Sequence, residues 1–285
     1  MSSIVFNPNY KLLSQNADQQ LLYFQLAGSA ENGVDAFLAY LVQQRFDFVC
    51  LQNVSEALLQ VLLAFAKKEM CSIHVSTKHS IKSSMSPRKM RDVYLVTMSR
   101  IRAVVVEMEL IRTSMNACQV LCFSNLPQTF YLINTCFPHN GAPVHHLDEE
   151  HYVHWNTWEY REMLVMLHDY LSSTENWVMC GDFNSNPLDF KRMLNVRAHV
   201  ARMNHFTEVQ TCANAATSYA TTEEHSFFLY RKISLHGVNV QCDDESVKRL
   251  FNSKKHSRTC HLPCIFEFNI PSISVKKKKS NFLLK

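Results

Sequence analysis

The spacing of apolar residues changes period several times along the chain, and each change marks an element. "GVDAFLAYLVQQR" (33–45) and "SEALLQVLLAFAKKEM" (55–70) repeat apolar positions every three or four residues, which predicts two amphipathic helices. The second opens on a serine and closes on two lysines, the polarity of a capped helix. Between them, "FDFVCLQNV" (46–54) is a β-rich run. "YKLLSQNA" (10–17) reads as a short strand leading into a polar turn. Further strands are predicted at "DVYLVTMS" (92–99), "AVVVEMEL" (103–110), "QVLCFS" (119–124) and "TFYLINTCF" (129–137). A helix, "TWEYREMLVMLHDYL" (157–171), precedes the strand "WVMC", and the last third offers "SFFLYRKISL" (226–235) and "PCIFEFNI" (263–270). Helices alternating with single strands, and strand runs between them, predict a mixed α/β or α+β layered domain.

Composition narrows this picture. A chain of 285 residues without an internal repeat or low-complexity linker predicts a single domain over 1–272, with a basic tail at 273–285 that includes Lys276–Lys279. Only five glycines are present and none forms a Gly-rich nucleotide loop, which excludes P-loop and dinucleotide folds. The net charge of +4 is too small to imply a polyanionic partner by itself. Its distribution says more. Residues 76–91 carry Lys78, Lys82, Arg88, Lys89 and Arg91 with no acid, and read either as a solvated surface loop or as a basic loop bordering a phosphate site. No apolar run approaches the roughly 18 residues of a membrane span, and "ALLQVLLAFA" reads as a core helix. The first thirty residues lack the pattern of a cleaved export signal, so the ten cysteines are expected to be reduced core thiols in an intracellular compartment.

Several predicted strands end in polar residues where the apolar run stops. The ends supply Asn16 and Asp18, Gln52 and Asn53, Asn134 with His139 and Asn140, Asp182 and Asn184, and His261. Ligand sites gather at strand ends, where loops carry chemistry on a rigid frame. A single such end is an ordinary turn; five along one chain point to a site. "VMCGDFNSNP" is the sharpest, because an apolar run ends by presenting a carboxylate and a carboxamide two residues apart.

In order and spacing these segments resemble the exonuclease–endonuclease–phosphatase superfamily, the DNase I-like hydrolases. "LLSQNAD" is similar to the family's opening strand, "FDFVCLQNV" to its D-φ-φ-x-L-Q-E-V segment (φ apolar), and "LINTCFP" to φ-φ-N-T-H-φ. "GDFNSNP" nearly copies G-D-F-N-x-x-P, and "RTCHLPCIFEF" resembles the closing S-D-H-x-P. The resemblance implies a four-layer α/β sandwich, two mainly antiparallel sheets flanked by helices with a site at one edge. It also implies Mg²⁺ or Mn²⁺ polarising a phosphoryl oxygen while water attacks. Asp182 would activate that water, Asn184 would hold a non-bridging oxygen, His261 would stabilise developing charge, and Asn16 would support them. Asp18, Asn53 and Asp182 are the metal candidates, and Asn134, Asn140 and Arg161 the substrate-binding ones.

Departures from the pattern decide what chemistry to expect. Asn53 stands where the family's metal-binding glutamate falls, Cys260 replaces the aspartate before the histidine, and Cys136 replaces the histidine of N-T-H. Leu229 is matched to the acid that orients the histidine. A hard cation gains most from anionic ligands, so the exchanges weaken a metal site. Two readings follow: a metal-dependent phosphodiesterase or phosphatase acting on a nucleic acid or phosphorylated small molecule, or an inactive relative that binds a phosphate ligand or a protein partner. A monomer is expected in either case. Zinc at Cys260, His261 and Cys264 is a weaker alternative, because a second ligand pair at regular spacing is absent. The histidine-rich stretch 139–154 reads more simply as a polar loop than as a metal site.

Overall fold

The computed structural model describes residues 19–25, 34–76, 78–83, 86–101, 109–113, 116–124, 126, 128–137, 167, 171, 176–183, 210–212, 226–240 and 264–270. Among the described residues, strands lie in chain order at Gln19–Gln25 (β1), Phe48–Val54 (β2), Ser72–Val75 (β3), His79–Ser83 (β4), Ser86–Ser99 (β5), Glu109–Thr113 (β6), Asn116–Phe123 (β7), Phe130–Cys136 (β8), Trp177–Asp182 (β9), Gln210–Cys212 (β10), Ser226–Arg231 (β11), Ser234–Val240 (β12) and Cys264–Asn269 (β13). Helices span Val34–Gln44 (α1) and Glu56–Lys68 (α2). One seven-stranded sheet runs β12-β13-β1-β2-β5-β3, with β4 also on β5; a six-stranded sheet runs β10-β11-β9-β8-β7-β6. All the ladders are antiparallel except one in each sheet, β1 with β2 and β8 with β9.

Alternation along the strands explains the layering. Phe48 and Cys50 of β2 and Phe266 and Phe268 of β13 pack against Phe123, Phe130, Leu132, Val178 and Phe228 of the other sheet. The intervening Val49, Leu51 and Ile265 turn the opposite way, onto Phe37 and Leu41 of α1 and Leu58 and Leu62 of α2. Aromatic rings join the sheets, Phe48 with Phe123 at 5.0 Å and Phe228 with Phe266 at 4.7 Å between centroids. Each such ring contributes on the order of 1.5–3 kcal/mol through burial alone. In α2 the Ser55 hydroxyl accepts from the Leu58 N–H at 3.3 Å, while Lys67 and Lys68 sit in the last turn. Leu58, Leu59, Leu62 and Ala66 form its buried stripe, as the periodicity predicts. Of the predicted helix 157–171, Leu167 and Leu171 are described; both are helical and buried.

Two expectations change, and two others lie wholly or partly outside the described residues. The opening strand of the sheet is Gln19–Gln25, and the expected strand at 10–17 lies outside the described residues. Residues 76–91 are not a loop over most of their length, because β4 and the first half of β5 form an antiparallel hairpin there. "SFFLYRKISL" is not one strand: it breaks at Lys232, where φ is +51°, and its halves join different sheets as β11 and β12. Of the run 103–110, residues 109–110 belong to β6 and the others lie outside the described residues.

Candidate functional site

The two parallel ladders bring carboxyl ends together. In the larger sheet Gln25 ends β1 beside Gln52 near the end of β2. In the smaller sheet Cys136 ends β8 beside Asp182 at the end of β9. Side-chain bonds join the two pairs: the Gln52 amide Nε2 donates to the Thr135 carbonyl and lies 3.4 Å from Asn134 Oδ1. The carboxyl ends of β1, β2, β8 and β9 therefore meet at one edge of the sandwich. Ligand sites of layered α/β folds characteristically form at such ends.

Just inside that edge lies a polar seam. Asn134 Nδ2 is within 3.2 Å of the Leu51 carbonyl, 3.4 Å of the Val96 carbonyl and 3.3 Å of Thr97 Oγ1. Thr97 donates to Gln119 Oε1 at 2.6 Å. Gln52, Thr97, Asn134 and Thr135 are fully buried, so their bonds offset a desolvation cost of about 1–3 kcal/mol per group. The expected substrate-binding residue Asn134 is thus part of the joint between the sheets. Cys118, opposite Thr135 in the ladder, has its thiol pushed up to about 12 by burial, which removes it as a nucleophile near this edge.

The rim differs from the seam. Asn53 lies in the bulge that β2 makes between Leu51 and Val54, with φ +56°. Asparagine is among the residues that adopt this left-handed conformation most readily. Its Oδ1 is buried without a hydrogen-bond partner. A lone carbonyl oxygen held at a strand end suits a cation or a ligand donor, and as a neutral ligand it suits a hard cation only weakly. On β9, the glycine before Asp182 is required by close approach: a Cβ on Gly181 would stand 2.3 Å from the Thr135 carbonyl oxygen. The Gly-Asp pair therefore lets β9 lie tightly on β8 and end at the rim.

Two residues at this rim were missed by the sequence reading. Gln25 is the polar end of β1, in register with Gln52. Its signal was the run "QQLLYFQ", overshadowed by the better motif match just upstream. Asn16 and Asp18 lie outside the described residues. Ser226 is the residue of β11 opposite Asp182. Leu229, matched above to the family's orienting acid, instead pairs with Met179 and is buried in the core. Cys136 is also buried. Asn140, Arg161, Asn184, Cys260 and His261 lie outside the described residues. Among the described residues, no three histidine, cysteine or carboxylate side chains gather closely enough to hold a metal ion.

The same architecture recurs in known structures. An endonuclease/exonuclease/phosphatase from Bacteroides vulgatus superposes with a TM-score of 0.57 at 10% identity, covering 89% of this chain and 99% of that one. The fold is that of the endonuclease/exonuclease/phosphatase superfamily. The catalytic domain of human Nocturnin with a bound sulfate anion matches at a TM-score of 0.57 and 13% identity, over 90% of this chain and 94% of that chain. ANGEL2, a 2′,3′-cyclic phosphatase in complex with adenosine-2′,3′-vanadate, matches at 0.57 and 12% identity, over 88% and 95%. No family model matches the sequence, and no curated protein matches it. Likeness at this identity establishes the fold, a two-sheet sandwich with mixed sheets. Among the described residues no helix is long and apolar enough to cross a membrane.

Proposed function

We propose that the protein binds a phosphate ester at the edge where β1, β2, β8 and β9 end, and that its capacity for hydrolysis is largely lost. The observation that carries the reading is Asn53, held in a left-handed bulge at the rim with its carbonyl oxygen buried and unpartnered. That geometry supports a preformed ligand position, but one without the negative charge that binds a catalytic cation firmly. Mg²⁺ or Mn²⁺ would be held weakly, by Asn53 with Asp182 and without the usual glutamate. Such a cation polarises a phosphoryl oxygen when bound. Asn184 and His261 are assigned the oxyanion contacts, with Gln25 in the supporting place first given to Asn16.

The missing acids support the same conclusion. The β11 register brings Ser226 opposite Asp182 and carries Leu229 into the core, and neither residue can orient an imidazole as a carboxylate does. With Cys260 before it, His261 lacks a carboxylate neighbour in sequence as well. Residues that act as a unit lose activity together, so the exchanges compound one another rather than adding. Two structural relatives were solved with a sulfate or a vanadate ester, which supports a phosphate-like ligand here.

Turnover of bis-p-nitrophenyl phosphate in Mg²⁺ or Mn²⁺ tests the reading. The wild-type chain is expected to stay at background, and Asn53→Asp with Cys260→Asp to raise turnover at least about tenfold through a firmer metal site. Aspartate is chosen over glutamate because it tolerates the left-handed backbone. Robust wild-type turnover that disappears in Asp182→Ala would favour a working hydrolase instead.

A further inference from the structure

The strand β5 is longer than the sheet that holds it. From Phe48↔Ser99 to Val54↔Tyr94 it pairs with β2, and Val54 is the last residue of β2. Because β5 runs antiparallel to β2, residues 86–93 continue past the carboxyl end of β2, the edge where Gln52 and Asn53 sit. Along that extension β5 pairs with β4, from His79↔Val93 to Ser83↔Ser86. The result is a two-stranded arm rooted at the candidate site, with β4 packed beside β7 of the other sheet.

Two contacts fix its root. Tyr94 donates to Glu56 Oε2 of α2 at 2.5 Å, and Lys78 pairs with Asp92 across the base of the arm at 2.8 Å. Beyond that ion pair the charges are of one sign. Residues 79–91 include Lys82, Arg88, Lys89 and Arg91 and no acid, so the arm carries as much net positive charge as the chain's total of +4. We infer that this hairpin arm is a polyanion clamp: it holds the sugar–phosphate backbone of a nucleic-acid strand whose terminal or scissile phosphate lies at the rim. The inference rests on the phosphate-ester reading above and narrows its ligand to a polynucleotide. Eight residues of strand reach roughly 26 Å, enough to follow about seven phosphates at the rise of one B-form strand. Strand residues 79–83 and 86–91 contain no Phe, Trp or Tyr, the usual anchors of an interfacial segment, which disfavours a lipid surface and limits contact with a strand to its phosphates rather than its bases.

The test is fluorescence anisotropy of a labelled twelve-residue oligothymidylate on the full chain at several salt concentrations, with calorimetric titration of adenosine 5′-monophosphate alongside. In the variant combining Lys82→Ala, Arg88→Ala, Lys89→Ala and Arg91→Ala, oligonucleotide affinity at low salt is expected to fall about tenfold or more. The slope of log affinity against log salt should flatten by up to about 3, at about 0.7 per phosphate contact on a single strand. Mononucleotide binding should be unchanged. A milder variant, Lys82→Gln with Lys89→Gln, should give about half that flattening and guards against misfolding of the fourfold one. Unaltered oligonucleotide affinity and slope in both variants would overturn the clamp. So would wild-type binding to phosphatidylserine vesicles but not to the oligonucleotide. Arm-dependent oligonucleotide binding without any mononucleotide binding would keep the clamp and reject the phosphate site at the rim.

Discussion

Two polar regions lie within a few residues of each other at the same edge, and they are built to opposite rules. In the seam, Gln52, Asn134, Thr97 and Gln119 are bonded across the sheets. At the rim one residue further along β2, Asn53 has a left-handed backbone and a buried oxygen without a partner. Native folds pair nearly all buried polar groups, so satisfied ones report on architecture and unsatisfied ones mark places shaped for something else. The comparison teaches that neighbouring amides in one strand, here Gln52 and Asn53, can belong to different functions. Burial and bonding separate them where residue type does not.

The largest effect expected is at the joint between the regions. Gly181→Ala would drive a Cβ into the Thr135 backbone and should lower unfolding stability by about 3 kcal/mol, read from urea midpoints. If it is neutral, the close approach of β8 and β9 is wrong. Asn134→Leu should cost about 2 kcal/mol by leaving the Leu51 and Val96 carbonyls without its amide across the sheets, without altering the affinity for a phosphate ester beyond what stability explains. A selective loss of ligand affinity in that variant would move Asn134 from the seam to the site. At the rim the order reverses: Asn53→Gly should leave stability within about 0.5 kcal/mol, since glycine accepts positive φ. The same change should weaken ligand and Mn²⁺ binding.

The smallest effect serves as a control from the other end of β2. Burial raises the Asp47 carboxyl above its ordinary value of 3.8, opposed by the Gln20 N–H and the Arg100 charge. A raised folded value means that the native state binds the proton more tightly, so stability falls as pH rises from near 3.8 through the folded value. Asp47→Asn keeps an oxygen for the Gln20 N–H at 2.8 Å and removes that dependence. Its stability relative to wild type should therefore increase as pH rises above about 3.8, by thermal unfolding, with no change in ligand binding. A relative decrease over that range would show that hydrogen bonding and Arg100 outweigh burial.

Much of the architecture was legible because the central strands are buried and stand out as apolar runs. The alternation in "FDFVCLQNV" and "TFYLINTCF" marks strands whose odd and even residues face different layers, and the serine-to-lysine polarity of 55–70 marks α2. The β4–β5 hairpin was hidden because its sequence has no apolar alternation; Lys82, Arg88 and Arg91 among serines read as loop. The break at Lys232 was hidden because a single residue with positive φ leaves the apolar run intact. At the site, "GDFN" was legible as a motif, and Gly181 gives it a physical cause. Register was not legible: spacing alone could not tell that Ser226 stands opposite Asp182, nor that Gln25 is the polar end of β1.

The central claim is that the rim at Asn53 and Asp182 receives a phosphate ester. Calorimetric titration of adenosine 5′-monophosphate in Mn²⁺, on wild type and on Asp182→Ala of unchanged circular dichroism, tests it most directly. Wild-type binding should be saturable and weaken at least about tenfold in the variant, the loss expected when an anionic contact to the cation is removed. Equal affinity in the two proteins, or none in the wild type, would contradict it.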